Sequence, residues 1–366
     1  MLSSESSNRF NRGFPTNRIP VVLPSTGKTI LLRETTVVEL KSMCKIIIDN
    51  LNRKQMDVIY DAVSDYLQSM ILSDEMDVDD LTEYDRLFCL MVFFQMSFYK
   101  DSITTKCPAC NVDLVYRYDL SKYLSKMYES YVDDQEVEIE HKNKVFKVTV
   151  GWPKVKEMRK LMLYFYGSMD EITEEMERTQ YGIDFIMTFI KKVTVIDPIS
   201  QNVEATIDLS ELSTWEERLD CINSLPSVVV FDQDFGLFSK ITGFFINRLE
   251  NCFGFDLCPQ CHKETYNGLG QSAHFYQLFY GSLKSLYRYL LQVECLLIFR
   301  YGVSIFNDEQ HMTYNDLNTL VNQISTTAEK ENDERKKVGH EPLYKGLWYI
   351  REILNLMIFP QDNIKR

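Results

Sequence analysis

Two cysteine pairs carry the most specific chemistry in the chain: Cys107-Pro108-Ala109-Cys110 and Cys258-Pro259-Gln260-Cys261. Each is a C-P-x-C knuckle, a tight turn that offers two thiolates to one cation. Zinc takes four ligands in a tetrahedron, so neither knuckle suffices alone. Cys107, Cys110, Cys258 and Cys261 together make a closed four-thiolate shell. A closed shell leaves no position for substrate or water, so the expected role is structural rather than Lewis-acid catalysis. Residues 111–257 separate the two halves, and one shared ion would staple distant parts of the chain together. Cys252 and His262 are the competing ligands. His262 follows Cys261 directly, where reach to the same ion is awkward. A thiol–disulfide exchange centre is the other chemistry open to C-x-x-C pairs. Neither pair, however, opens a helix in a βαβ setting.

Other residues invite a functional reading and fall short of it. Ser25-Thr26-Gly27-Lys28-Thr29 resembles part of a phosphate loop, but Val22 stands where the first glycine is needed. It also runs into a strand, so no helix N-terminus would face a phosphate. The acidic stretch Asp74 to Asp80 lacks the sixth-position glycine of a calcium loop, with either Asp74 or Asp77 as first ligand. It reads as a solvated link that favours the N-terminus of the next helix. The five histidines are His141, His262, His274, His311 and His340. They form no H-E-x-x-H, and the chain has no G-x-S-x-G elbow. No carboxylate pair stands out for acid–base work. The expectation is a binding protein without catalytic residues.

The elements that must position the knuckles are legible from apolar spacing and turn residues. Ile19 to Leu23 and Thr29 to Arg33 flank a Gly-containing turn and predict a β-hairpin. Thr35 or Thr36 caps a helix whose apolar stripe is Val37, Leu40, Met43, Cys44 and Ile47. A second helix is expected over about 53–72. Thr82 caps a strongly apolar helix from Tyr84 to Tyr99, which leads into the first knuckle. A strand is expected over Val112 to Tyr118, then a hairpin over Val137 to Val150 that ends at Trp152-Pro153. Helices follow at about 154–167 and from Ile183 to Lys192. Val193 to Asp197 pairs with Val203 to Leu209, and helices occupy 210–224 and 233–250. The second knuckle sits in Cys252 to Tyr266 in the manner of a zinc ribbon. Beyond residue 271 the expectation is helical: Phe275 to Phe299, a helix from Thr313, and Gly346 to Phe359. A charged stretch, Thr326 to Lys337, serves as an exposed helix end or a link. In the first of these helices Tyr276, Phe279, Tyr280, Leu283, Leu286 and Tyr287 exceed one buried stripe. They fit either a helical core or a partner contact.

The fold class is therefore α+β, with β-hairpins and helices around a four-cysteine zinc-ribbon-like node and a mostly α-helical C-terminal lobe. The division expected is a flexible arm over 1–18, a core with the zinc node over 19–270, and a helical extension over 271–366. The 366 residues, 45% of them hydrophobic, can bury cores of that size. A net charge of −13 speaks against sequence-independent duplex binding, which needs a basic face. A zinc-ribbon nucleic-acid-associated factor is the rival class, and it would require a local basic patch. Of the nine cysteines, the five outside the knuckles are Cys44, Cys89, Cys221, Cys252 and Cys295. They lie mostly in apolar helical text, which suits reduced thiols rather than a secreted disulfide framework. Residues 1–18 lack the apolar core of a signal peptide. No apolar run is long enough to span a bilayer. A soluble chain in a reducing compartment, with no membrane contact, is expected.

Leu23-Pro24-Ser25-Thr26-Gly27-Lys28, Leu32-Arg33-Glu34 and the Val37-Val38-Glu39-Leu40 helix resemble the opening of T-even-type phage baseplate hub assembly proteins. The resemblance continues through Thr82-Glu83-Tyr84-Asp85-Arg86-Leu87 before a long helix that runs into a C-P-x-C. It continues again through the 137–150 hairpin, Gly151-Trp152-Pro153, and the Val193 to Leu209 strands with helix 210–224 and Leu225-Pro226. It covers about residues 19–265. The resemblance implies a non-enzymatic role in the contractile tail, as a hub component or as a chaperone for hub assembly. The implied partners are phage baseplate hub and other tail proteins, with self-association left open. The implied location is the host cytoplasm during assembly, and the virion baseplate if the chain stays in the particle. The helical extension from 271 has no counterpart in that resemblance.

Overall fold

The computed structural model describes residues 18–266 apart from 52, 54, 74–75, 98–101, 108, 118–119, 168–173, 235 and 254. It also describes 312–338 and a few positions between 286 and 293. The expected arm up to residue 17, the helix at 346–359 and most of the helix at 275–299 lie outside the described residues.

Strands β1 (Arg18–Val22) and β2 (Thr29–Arg33) form the expected antiparallel hairpin, with Val22 opposite Thr29. Gly27 in its turn has φ +64°, a left-handed conformation that glycine adopts without steric cost. The Ser25 amide donates to the Asp85 carboxylate at 3.1 Å, and the Ser25 hydroxyl donates to it as well. The segment that imitates a phosphate loop is thus a turn pinned to a neighbouring helix. Helix α1 (Val37–Leu51) buries the predicted stripe of Val37, Leu40, Met43, Cys44 and Ile47. The Thr36 hydroxyl accepts from the Glu39 amide at 3.3 Å, and the Glu39 carboxylate accepts from the Thr36 amide at 3.0 Å. That reciprocal pair is a capping box.

Helix α2 (Met56–Met70) and helix α3 (Glu83–Ser97) meet over a buried polar cluster. Arg86 donates to the Ser64 hydroxyl at 2.9 Å and pairs with Glu83 at 3.0 Å. The Tyr60 hydroxyl donates to Glu83 at 2.5 Å. The charge of Arg86 is thereby paired and hydrogen-bonded, which its burial demands. Thr82 caps α3 by accepting from the Asp85 amide at 3.0 Å. The acidic link ahead of α3 is tied down: Asp79 pairs with Arg159 at 2.8 Å, and Asp80 faces Lys154 and Lys156.

A short hairpin of β3 (Ser102–Lys106) and β4 (Asp113–Arg117) comes next, then helix α4 (Leu120–Ser130). Strands β5 (Gln135–His141) and β6 (Lys144–Val150) join through Lys142 and Asn143, both left-handed at φ 47° and 59°. Two successive left-handed residues are the signature of a type I′ turn, whose twist matches a two-residue hairpin. Helix α5 (Val155–Met162) runs into a π turn at Leu163–Gly167, and helix α6 (Glu174–Met187) comes after it. Helix is expected through Lys192, but it stops at Met187. Strand β7 (Ile190–Ile196) starts three residues later and pairs with β8 (Val203–Asp208). The β-branched residues of this stretch are satisfied by pairing β7 to β6, which joins the two predicted hairpins into one antiparallel sheet, β5-β6-β7-β8.

Helices α7 (Trp215–Asn223), α8 (Ser227–Phe231) and α9 (Leu237–Ile241) succeed the sheet. A π turn at Thr242–Ile246 then leads into α10 (Asn247–Phe253). These elements close over Trp152, whose ring lies 4.9 Å from Tyr84, 5.0 Å from Phe189 and 5.7 Å from Phe245, centre to centre. Beside it, buried Arg218 pairs with buried Glu157 at 3.2 Å and donates to the Thr188 carbonyl at 2.9 Å. Strands β9 (Phe255–Leu257) and β10 (Glu264–Tyr266) form a second short hairpin. Helix α11 (Tyr314–Lys337) takes in the charged stretch expected as a helix end or a link. Its first turn docks on α1: the Val37 amide donates to the Met312 carbonyl at 2.9 Å, and Leu317 and Val321 are buried.

Candidate metal centre

Each knuckle is the tip of one of the two short hairpins. Lys106 pairs with Asp113 around the first, and Leu257 with Glu264 around the second. The strand after Cys110 is among the elements expected from sequence, whereas β3 before Cys107 is not. Its signal is the β-branched run Ile103-Thr104-Thr105.

The two turns are built alike. In the first, the Cys107 amide donates to the Val112 carbonyl at 2.9 Å, and the Asn111 amide donates to the Cys107 carbonyl at 2.8 Å. In the second, the Cys258 amide donates to Lys263 at 3.0 Å, and the His262 amide donates to Cys258 at 2.9 Å. Asn111 and His262 both sit in the left-handed region, at φ 60° and 54°. His262 therefore completes a turn with its backbone while its side chain is exposed. It is not among the residues that converge on the centre, and neither is Cys252. Cys252 is buried in α10, where its thiol donates to the Arg248 carbonyl at 3.3 Å.

The four predicted sulfurs, those of Cys107, Cys110, Cys258 and Cys261, lie within 4.8 Å of one another. Cys107 and Cys261 are 3.7 Å apart, and Cys110 and Cys258 are 3.6 Å apart. A disulfide would need about 2.05 Å. A tetrahedral ion with bonds of about 2.3 Å sets its sulfurs about 3.8 Å apart. The observed spacing therefore has the dimension of a chelate rather than of a cross-link. The first cysteine of each knuckle, Cys107 and Cys258, is buried, while Cys110 and Cys261 are half-exposed.

The electrostatics suit a cation. Burial opposes ionisation of Cys107, but the Cys110 and Ala109 amides aimed at its sulfur outweigh it and lower the thiol to about 6. The Cys261 and Gln260 amides likewise hold Cys258 below its ordinary value. Cys110 accepts from the Val112 amide, yet burial and the neighbouring thiols push it up to about 12. Part of the group ionises readily and the rest resists, because adjacent thiolates repel. A divalent cation removes that conflict.

A family model described as T4 bacteriophage base plate protein matches residues 16–233, more than half of the chain. The chain belongs to this baseplate protein family. No curated protein and no solved structure matches it. The family match opens just ahead of β1 and takes in the four-stranded sheet, α7 and α8. It contains the first knuckle and ends before the second, so the baseplate core supplies Cys107 and Cys110 while the chain beyond it supplies Cys258 and Cys261. Among the described residues no helix is long and apolar enough to cross a membrane.

Proposed function

We propose that this baseplate protein works by binding: it builds or chaperones the hub of the phage baseplate, holding other tail proteins without a catalytic step. Membership of the baseplate family over residues 16–233 is the observation that supports this reading most. Its finer part, the hub, rests on the order of motifs from Leu23 to Pro226. In this reading the chain acts in the host cytoplasm while the tail assembles, and its clients are hub and tail proteins. Capture of tagged chain from infected cells tests it. Baseplate hub proteins are expected in the eluate, and their absence under conditions that preserve weak complexes would count against the hub role.

The four cysteines hold one structural zinc in this proposal. Two knuckles of matching geometry and sulfur spacings near a tetrahedral edge support it. Four thiolates also suit iron, and a colourless protein with stoichiometric zinc separates the two. Against the nucleic-acid rival, the described exposed side chains at the knuckles include one Asp and one Lys, Asp113 and Lys263. Salt-sensitive oligonucleotide binding would overturn this choice.

A further inference from the structure

We infer that the four-cysteine centre is also an oxidation site, and that its oxidised form joins the two hairpins by disulfides between knuckles rather than within them. This rests on the four thiols forming one centre, as proposed above, but not on a bound ion. The argument starts from how the sulfurs are shared out. Each close pair takes one sulfur from each knuckle: Cys107 with Cys261, and Cys110 with Cys258. Each pair also combines one half-exposed thiol with one buried thiol. Cys110 and Cys261 are therefore the more accessible cysteines of the centre, and Cys258 and Cys107 lie 3.6 and 3.7 Å from them across the two knuckles.

With a peroxide as oxidant the chemistry closes without another reagent. In the Cys110–Cys258 pair one sulfur, as thiolate, attacks a peroxide oxygen, giving a sulfenic acid and releasing hydroxide. Its partner, as thiolate, then attacks that sulfur, forming the S–S bond and expelling a second hydroxide. Two thiolates lose two electrons, and the peroxide gains them. Cys261 and Cys107 take the same course. The sulfurs must close from 3.6–3.7 Å to about 2.05 Å, a movement that turn-borne side chains can make. The product keeps the topology of the chelate, because β3–β4 and β9–β10 stay tied across residues 111–257. For a baseplate protein this gives a clasp suited to both settings: thiolates in a reducing cytosol and disulfides at an oxidising particle surface.

Peptide mapping of the full chain after hydrogen peroxide treatment tests this. Trypsin isolates Cys107 and Cys110 on residues 107–117, and places Cys258 and Cys261 together with Cys252 on residues 249–263. The expected result is one joined species of these two peptides, lighter by two hydrogens for each bond. Fragmentation should place the bonds at Cys107–Cys261 and Cys110–Cys258. Separate peptides with internal disulfides, sulfinic or sulfonic acids, or unreacted thiols would each overturn the proposal. Cys110→Ser should still form the Cys107–Cys261 bond. If that variant does not fold, Cys261→Ser should form Cys110–Cys258. Metal content measured before oxidation separates the two ideas. Stoichiometric metal and then internal disulfides sinks only this inference. Joined peptides from a chain that binds no metal sink only the zinc reading.

Discussion

Around Trp152 the chain buries four aromatic rings and an Arg–Glu pair; around the knuckles it buries two sulfurs between hairpins whose strands are three and five residues long. The first region is held by apolar area, and the Arg218 guanidinium within it meets the Glu157 carboxylate and the Thr188 carbonyl. The second lacks that resource. Isolated two-stranded hairpins are marginal in water, so an ion can supply the stability that packing does not. The two regions also differ in their relation to the family. The Trp152 region draws mainly on residues inside the family match, whereas the centre bridges its end. One protein thus uses burial for its baseplate core and, in the zinc reading proposed here, chelation to fasten the chain beyond it.

That contrast can be broken or sharpened by substitution. Trp152→Ala should cost about 3–5 kcal/mol of global stability by denaturant unfolding, with metal content unchanged while the chain is folded. Loss of metal in the folded variant would show that the regions are not independent. Glu157→Leu leaves Arg218 buried and unpaired, and should cost about 3 kcal/mol. Adding Arg218→Met should recover most of it, and no recovery would mean that the pair is not the cause. Asp184 gives a smaller effect of opposite sign. Burial lifts its carboxyl to about 6, partly offset by the Gln180 amide. The unfolded carboxyl titrates near about 3.9, so the folded chain holds the proton longer. Stability should therefore fall as pH rises from about 4 to about 6. Asp184→Asn should abolish that slope and gain on the order of 1 kcal/mol at pH 7. Lys144→Ala, which removes an exposed pair with Glu204, should change stability by about 0–1 kcal/mol.

The sequence disclosed most where local chemistry decides the outcome. The knuckles announce themselves because Cys-Pro-x-Cys forces a turn and presents two sulfurs. Thr36 and Thr82 announce helix starts because a hydroxyl there meets an orphan amide. The Val137 to Val150 hairpin shows in its alternation. The hidden parts depend on partners distant in sequence. Ile190 to Lys192 continues a helical pattern and becomes strand because β6 offers an edge. β3 is a bare strand with few apolar residues, and it exists opposite β4. Arg86 and Arg218 look like surface residues in the text. Both are buried because Ser64, Glu157 and backbone carbonyls meet them from other elements, with Glu83 one turn away on Arg86's own helix. The same distinction separates the site from its role. Its four converging cysteines could be read from two short motifs, but the partners proposed for the chain have no such signature.

The most direct test is metal analysis of the purified full chain beside Cys107→Ser and Cys258→Ser. One zinc per chain is predicted in the parent, with loss of stoichiometric zinc from each variant, because each knuckle supplies half of one shell. Stoichiometric zinc retained in both variants, or none in the parent, would contradict a shared centre.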